Sequence, residues 1–193
     1  NGIIGDDEII SCPEYIELGS RKFRDWKQGG HGYADTKRAI RRSVDVYFYK
    51  LSLKSGIDPI AKTLRQLGLG EKSGIDLPNE FIGVVPDTEW KKKRYKESWY
   101  VGETLVTSIG QGYFLTTPLQ IARYTATLAS GKLVQPHYVK SKGDEEINPD
   151  TKDVLSDLQK NKLKIIRDGM YGVCNEQEGT AFWHTRGTKV KMG

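Results

Sequence analysis

Arg-Ala-Ile-Arg-Arg-Ser-Val-Asp-Val-Tyr-Phe-Tyr-Lys-Leu-Ser-Leu-Lys-Ser-Gly, running from Arg38 to Gly56, sets polar groups into a face that otherwise reads as core. Ile40, Val44, Tyr47, Phe48 and Leu51 recur at helical spacing and predict a buried helical stripe. Ser43 and Asp45 flank Val44, so a regular helix would project them from the two edges of that stripe. A hydroxyl and a carboxylate in such a place either cap or break the helix locally or belong to a site, and spacing alone favours capping. Asp35 or Thr36 can start the helical pattern and Gly56 can end it, while Ser43-Val44-Asp45 fits equally well a junction between two shorter helices.

Upstream, residues 1–35 are rich in Gly and charge. Ile9-Ile10 and Tyr15-Ile16-Glu17-Leu18 are short extended candidates, and Gly29-Gly30-His31-Gly32 is a loop. Downstream, Asp58 as N-cap, Pro59 at the first position, an apolar face of Ile60, Leu64 and Leu67, and Gly68 as a stop predict a second helix. Gly70 to Pro86 reads as turns with short strands. Ser108-Ile109-Gly110-Gln111-Gly112 is a flexed turn leading to Thr116-Thr117-Pro118, which opens a helix carrying Leu119, Ala122, Tyr124 or Thr125, and Leu128 before Gly131. Leu133 to Val139 predicts a short strand broken by Pro136, and Lys140 to Pro149 a charged, exposed connection. Leu163, Ile166, Met170 and Val173 predict a final helix that stops within Asn175 to Thr180.

The chain has 193 residues, 37% hydrophobic and 28% charged, enough for a core and for a soluble, globular single domain with a loop-rich opening region 1–35 and a helical body 36–193. The net charge of +5 selects no partner class. The chain begins at Asn1 without a Met, and has neither a leader nor an apolar run near the ~20 residues of a membrane span, which predicts a processed or excised piece. Cys12 and Cys174 match no C-x-x-C spacing and are expected as free thiols, although an oxidising compartment would allow a bridge. Trp90-Lys91-Lys92-Lys93-Arg94-Tyr95-Lys96 interleaves basic and aromatic residues, a pattern of nucleic-acid or anionic-lipid contact. No RNA-binding motif or amphipathic anchor accompanies it, so a solvated basic segment and no nucleic-acid partner are expected. Neither G-x-x-x-x-G-K-[ST] nor a strand-turn-helix G-x-G-x-x-G is present, which excludes the common phosphate loops. Serine chemistry needs a base beside the hydroxyl, and none is adjacent to Ser43 in sequence.

Several landmarks follow in order: Ser43-Val44-Asp45 with Val46-Tyr47-Phe48-Tyr49, then Gly74-Ile75-Asp76-Leu77-Pro78, then Gly110-Gln111-Gly112-Tyr113 with Thr116-Thr117-Pro118-Leu119-Gln120. Together they resemble the transpeptidase domain of class B penicillin-binding proteins. Phe23-Arg24-Asp25-Trp26-Lys27 and Gly30-His31-Gly32 narrow the resemblance to the elongation-specific, penicillin-binding protein 2 type. The fold it implies is mainly α with short β segments, the helical portion of the penicillin-binding transpeptidase and serine β-lactamase-like α/β fold. That family uses S-x-x-K, whose serine is acylated and whose lysine is the base, then S-x-N or S-x-D, then K-[ST]-G on a strand. Ser43-Val44-Asp45 matches the second motif. No serine in this sequence has a lysine three places on, so the nucleophile and its base are missing. Lys72-Ser73-Gly74 matches the third motif literally but precedes a turn region and reads as a decoy. Lys191-Met192-Gly193 is not that motif either, and the chain is expected to stop just short of it.

The resemblance implies a fragment of a peptidoglycan D,D-transpeptidase that cross-links stem peptides through a serine acyl-enzyme and is acylated by β-lactams, inactive as this segment alone. Ser43 would relay a proton near the absent lysine, and Asp45 would hold a substrate amide or orient that network. Implied partners of the parent are stem peptides, β-lactams, a periplasmic elongation scaffold protein and a glycan polymerase. Its implied place is the periplasmic face of the bacterial inner membrane, with the membrane anchor outside this segment. No cofactor is required, but some elongation-type relatives carry a metal in this region, and Cys12, Asp25 and His31 offer thiolate, carboxylate and imidazole to zinc. Val44 stands where a fourth ligand could have come. Three rival readings are a non-catalytic docking module for elongation partners, a small basic helical protein on nucleic acid, and a serine β-lactamase; the Gln111 region and its Thr-Pro helix fit the transpeptidase pattern better than the last.

Overall fold

The computed structural model describes Gly5 and residues 8–188; the Lys191-Met192-Gly193 expectation lies outside them. Short strands come first: β1 (Ile10–Cys12), β2 (Tyr15–Leu18), β3 (Arg21–Arg24) and β4 (Gly32–Ala34). Five helices follow, α1 (Thr36–Arg41), α2 (Asp45–Ser55), α3 (Ile57–Gln66), α4 (Thr88–Tyr95) and α5 (Val101–Ser108), then α6 (Pro118–Ser130). The two-residue strands β5 (Leu133–Val134), β6 (Ser141–Lys142), β7 (Glu145–Glu146) and β8 (Thr151–Lys152) precede α7 (Asp157–Asn175) and α8 (Phe182–Thr185). The strands pair two by two, all antiparallel: β1 with β4, β2 with β3, β5 with β8, and β6 with β7. Among the described residues no helix is long and apolar enough to cross a membrane.

Two compact units form, one from the residues up to Gly56, Tyr100–Gln111 and Asn161 onward, the other from Ile57–Trp99 and Gly112–Lys160. In the first unit β1 and β3 lie against α2 and β4 against α1, and α5 packs on α2 across a long stretch of chain. In the first unit, Ile10, Cys12, Phe23, Ala39, Val44, Val46, Tyr47, Tyr49 and Leu105 form the core. Burial of each large side chain there is worth roughly 1.5–3 kcal/mol. In the second, Ala61, Leu69 and Val85 are buried with Leu64, Phe114 and Tyr124 against them.

The Arg38–Gly56 stretch is two helices joined at Arg42-Ser43-Val44, the junction alternative. The break resets the helical register, so the expected single stripe is corrected: Ile40, Phe48 and Leu51 are half-buried, while Tyr49 and Ser52 join the buried face. Gly56, with φ 73°, ends α2 as expected. Helix α3 starts two residues early, and Asp58 is not its cap; its carboxylate instead accepts from the Thr88 backbone N–H at 3.0 Å and hydroxyl at 2.9 Å. The Trp90–Lys96 run is solvated as expected at Lys92, Lys93, Arg94 and Lys96 and departs from that at Lys91. It forms most of α4, capped by Asp87, and buries Lys91 with its ammonium 6.0 Å from the Tyr113 ring centre. Trp90, Tyr95 and Trp99 group around Tyr113. Those aromatics therefore pack on one another, with Tyr95 still exposed. The α6 expectation holds with Thr117 as cap and Gly131 as stop, and α7 contains the expected final helix.

Candidate active site

Helix α1 ends in a left-handed residue. The Val44 N–H bonds Ala39 O (3.0 Å) and the Ser43 N–H bonds Ile40 O (3.2 Å), the paired 6→1 and 5→2 bonds of a Schellman motif. Glycine is the usual occupant of that left-handed position, yet here it is Ser43, with φ 51°. A side chain in this conformation costs on the order of 1–2 kcal/mol. The turn leaves the Ser43 side chain exposed while Val44 next to it is fully buried.

Helix α2 begins immediately, and its cap residue Val44 has no side chain to cap with. Asp25 supplies the missing acceptor from the loop after β3: its Oδ2 takes the Val46 N–H (3.3 Å) and its Oδ1 the Lys27 N–H (3.1 Å). A carboxylate at a helix N-terminus is also favoured by the helix dipole. Trp26 closes the junction from the same loop. Its backbone N–H donates to Asp45 Oδ2 (3.0 Å), and its indole Nε1–H donates to the carbonyls of Arg42 (3.1 Å) and Ser43 (2.8 Å). His31 stands edge-on to the indole at 5.3 Å, its Nδ1 3.0 Å from Asp25 Oδ1 without hydrogen-bond alignment.

The segment after α7 returns to the same place. Glu176 and Glu178 clasp Arg41, Glu178 also bonds Arg42 (3.0 Å), and Lys37 adds to Glu176 at 3.2 Å. Gly179 packs so closely on the carbonyls of Gly172 and Val173 that no Cβ fits there, and this turn delivers the Thr180 hydroxyl to 3.4 Å from Ser43 Oγ. Gly169 similarly lets α7 approach Ile40, where an added Cβ would lie 2.9 Å from Ile40 Cβ.

Burial raises the Asp45 pKa above its ordinary value, with the Trp26 N–H opposing and the Asp25 charge adding to the rise. Burial also lowers the pKa of His31, against the pull of Asp25, so the imidazole is neutral at pH 7. Chemically, the junction offers an exposed hydroxyl able to donate and accept, and a carboxylate whose second oxygen remains for another donor.

The sequence expectation thus finds Ser43 and Asp45 at one junction, with Asp25 bound to the helix that starts there. The Cys12–Asp25–His31 zinc set fares differently. Among the described residues no three His, Cys, Asp or Glu side chains are grouped to hold a metal ion. The Cys12 thiol donates to Ile10 O (3.4 Å), and burial pushes its pKa up to about 11. The zinc reading gains no support from this grouping, and no chemistry is routed through a metal. Both cysteines are free. Lys72-Ser73-Gly74 lies in an irregular segment, with the Ser73 and Gly74 N–H groups held by Glu80, and not on a strand. Sequence reading missed the clamping role of Trp26, the Arg41–Glu176 clasp and Thr180. Only Gly179-Thr180, just past the end of a helix, gave any local signal.

The family model for the penicillin binding protein transpeptidase domain matches residues 1–192, and the chain belongs to that family. Among individual relatives it is similar to the peptidoglycan D,D-transpeptidase MrdA of Escherichia coli K12, 36% identical over 188 residues, covering 93% of this chain and 30% of that protein. Among solved structures, penicillin-binding protein PBP2 of Helicobacter pylori in complex with MreC superposes with a TM-score of 0.90 at 51% identity, covering 97% of this chain and 34% of that one. PBP2 of Pseudomonas aeruginosa in complex with WCK 5153 gives 0.88 at 34% identity, covering 97% and 43%. The chain therefore spans about a third of the length of the relatives it matches.

Proposed function

We propose that this chain is the part of a bacterial peptidoglycan D,D-transpeptidase that carries its S-x-D element, with Ser43 and Asp45 in that role. The observation that carries the reading is the exposed, left-handed Ser43, held beside Asp45 by Trp26, which belongs to neither helix. In the intact enzyme a serine outside this chain attacks the carbonyl carbon of the D-alanyl-D-alanine peptide bond. An ester forms, the amide bond breaks, and D-alanine leaves with the proton that the serine gave up. An amine from a second stem peptide then displaces the enzyme serine and forms the cross-link. Ser43 passes a proton between the catalytic base and the leaving amine, and Asp45 accepts a hydrogen bond from the donor-strand amide. Both act only as assistants, because acyl transfer needs nucleophile, base and oxyanion donors together.

This reading places the parent on the extracytoplasmic side of a bacterial cell, at the periplasmic face of the inner membrane. β-Lactams are its acylating inhibitors, and its partners are an elongation scaffold of the MreC kind and a glycan polymerase. The test compares residues 1–193 with the full-length parent, using a fluorescent penicillin. The short chain should take no covalent label and the parent should be labelled. Label on the short chain would mean that it holds a nucleophile of its own and would overturn the assignment. In the parent, Ser43→Ala should slow acylation, and an unchanged rate would remove Ser43 from the site.

A further inference from the structure

We infer that Trp26 is a positioning residue for acyl transfer, holding the Ser43 backbone in the conformation that aims its hydroxyl; this rests on the role of Ser43 proposed above. The two carbonyls that share the indole N–H, Arg42 O at 3.1 Å and Ser43 O at 2.8 Å, belong to the peptide planes on either side of the Ser43 Cα. Fixing both planes fixes φ and ψ of Ser43, and with them the direction of its Cα–Cβ bond. The Schellman bonds of Ser43 N–H and Val44 N–H hold the same two planes from the α1 side, and the indole adds a second hold against the relaxation that a serine side chain at φ 51° favours. The same residue holds the second polar group through its backbone, N–H to Asp45 Oδ2 at 3.0 Å. One residue thus sets the spacing between hydroxyl and carboxylate.

Core filling does not account for this tryptophan. It is 60% exposed, whereas the aromatic residues that fill the core of this unit, Phe23, Tyr47 and Tyr49, are at most 6% exposed. The indole is kept in place by its hydrogen bonds and by the edge of His31. Its N–H, and not its bulk, is the feature the junction uses.

The experiment measures acylation of the full-length parent by a fluorescent penicillin for the wild type, Ser43→Ala, Trp26→Phe and the double variant, with the thermal midpoint of each. Trp26→Phe should lower the maximal acylation rate roughly tenfold, leave the half-saturating penicillin concentration unchanged, and cost less than about twofold when introduced into Ser43→Ala. That non-additivity separates positioning from general support, which would slow both backgrounds equally. If Trp26→Phe unfolds, replacement of Trp26 by 3-benzothienylalanine, which keeps the shape and exchanges the N–H for sulfur, should give the same slowing. An unchanged rate with either replacement, or equal slowing in both backgrounds, overturns the inference while a slow Ser43→Ala leaves the role of Ser43 standing. A Ser43→Ala variant as fast as the wild type would overturn that role and the inference with it.

Discussion

Helices α2 and α6 both start at a polar triplet that the sequence marks, and they satisfy their first turns in opposite ways. At α6 the cap is local and complete. Thr117 Oγ1 accepts the Gln120 N–H, and Gln120 Oε1 accepts the Thr117 N–H, each at 3.1 Å. The Gln120 amide nitrogen then donates to the carbonyls of Glu71 (2.7 Å) and Ile82 (3.0 Å), with the side chain fully buried. At α2 the cap residue is a valine, the acceptor is borrowed from Asp25, and the serine beside it stands exposed in a conformation that suits glycine. Polar residues whose bonding is used up inside the fold, as at Gln120, are architecture. Polar residues held with bonding capacity to spare, as at Ser43 and Asp45, are the ones on which the proposed function rests.

The largest expected effect falls on the architectural side. Gln120→Leu leaves the half-buried Thr117 N–H and the Glu71 and Ile82 carbonyls without the side chain that pairs them, and should cost roughly 3 kcal/mol in urea unfolding of the parent. Its penicillin acylation rate per folded molecule should stay within about twofold of wild type; a tenfold fall would erase the distinction between the two helix starts. Asp25→Ala should cost about 1–2 kcal/mol by uncapping α2. A loss below about 0.5 kcal/mol would mean that Asp25 is no cap.

Asp45→Asn sharpens the comparison through pH. Burial raises the folded-state pKa of Asp45, so the native protein loses stability as pH rises from the ordinary carboxylate value through that raised one. An asparagine keeps an oxygen for the Trp26 N–H and carries no charge. The variant should therefore be the more stable protein at neutral pH, with the advantage shrinking as pH falls until both states of Asp45 are protonated. An advantage that grew toward acid, in unfolding curves across that range, would reverse the sign of the electrostatic account.

How much of this was legible in the sequence depended on distance along the chain. Thr117, Pro118 and Gly131 announce α6 because caps and stops are local chemistry. Ser43-Val44-Asp45 could be placed at a junction but not resolved as one, because the left-handed position lacks the glycine that usually marks it. Helix α5 gave no signal: Gly102 and the β-branched Thr104, Val106 and Thr107 weaken its helical propensity, and packing against α2 outweighs them. Gly102 itself faces Phe23, 3.2 Å from where a Cβ would sit. The Ser43–Thr180 and Arg41–Glu176 contacts join residues more than 130 positions apart, and no local pattern encodes such a pairing. The asymmetry of Asp58 is instructive in the same way. Its position before Pro59 reads as a cap, yet its carboxylate is committed to Thr88.

The smallest expected stability change tests the central claim most directly, that Ser43 is held in strain for the sake of its hydroxyl. Ser43→Gly in the full-length parent removes the left-handed penalty and the hydroxyl together. Glycine should raise stability by about 0.5–1 kcal/mol and at the same time slow acylation by a fluorescent penicillin at least about tenfold. A glycine variant that is acylated at the wild-type rate, whatever its stability, would show that the junction serves the fold alone.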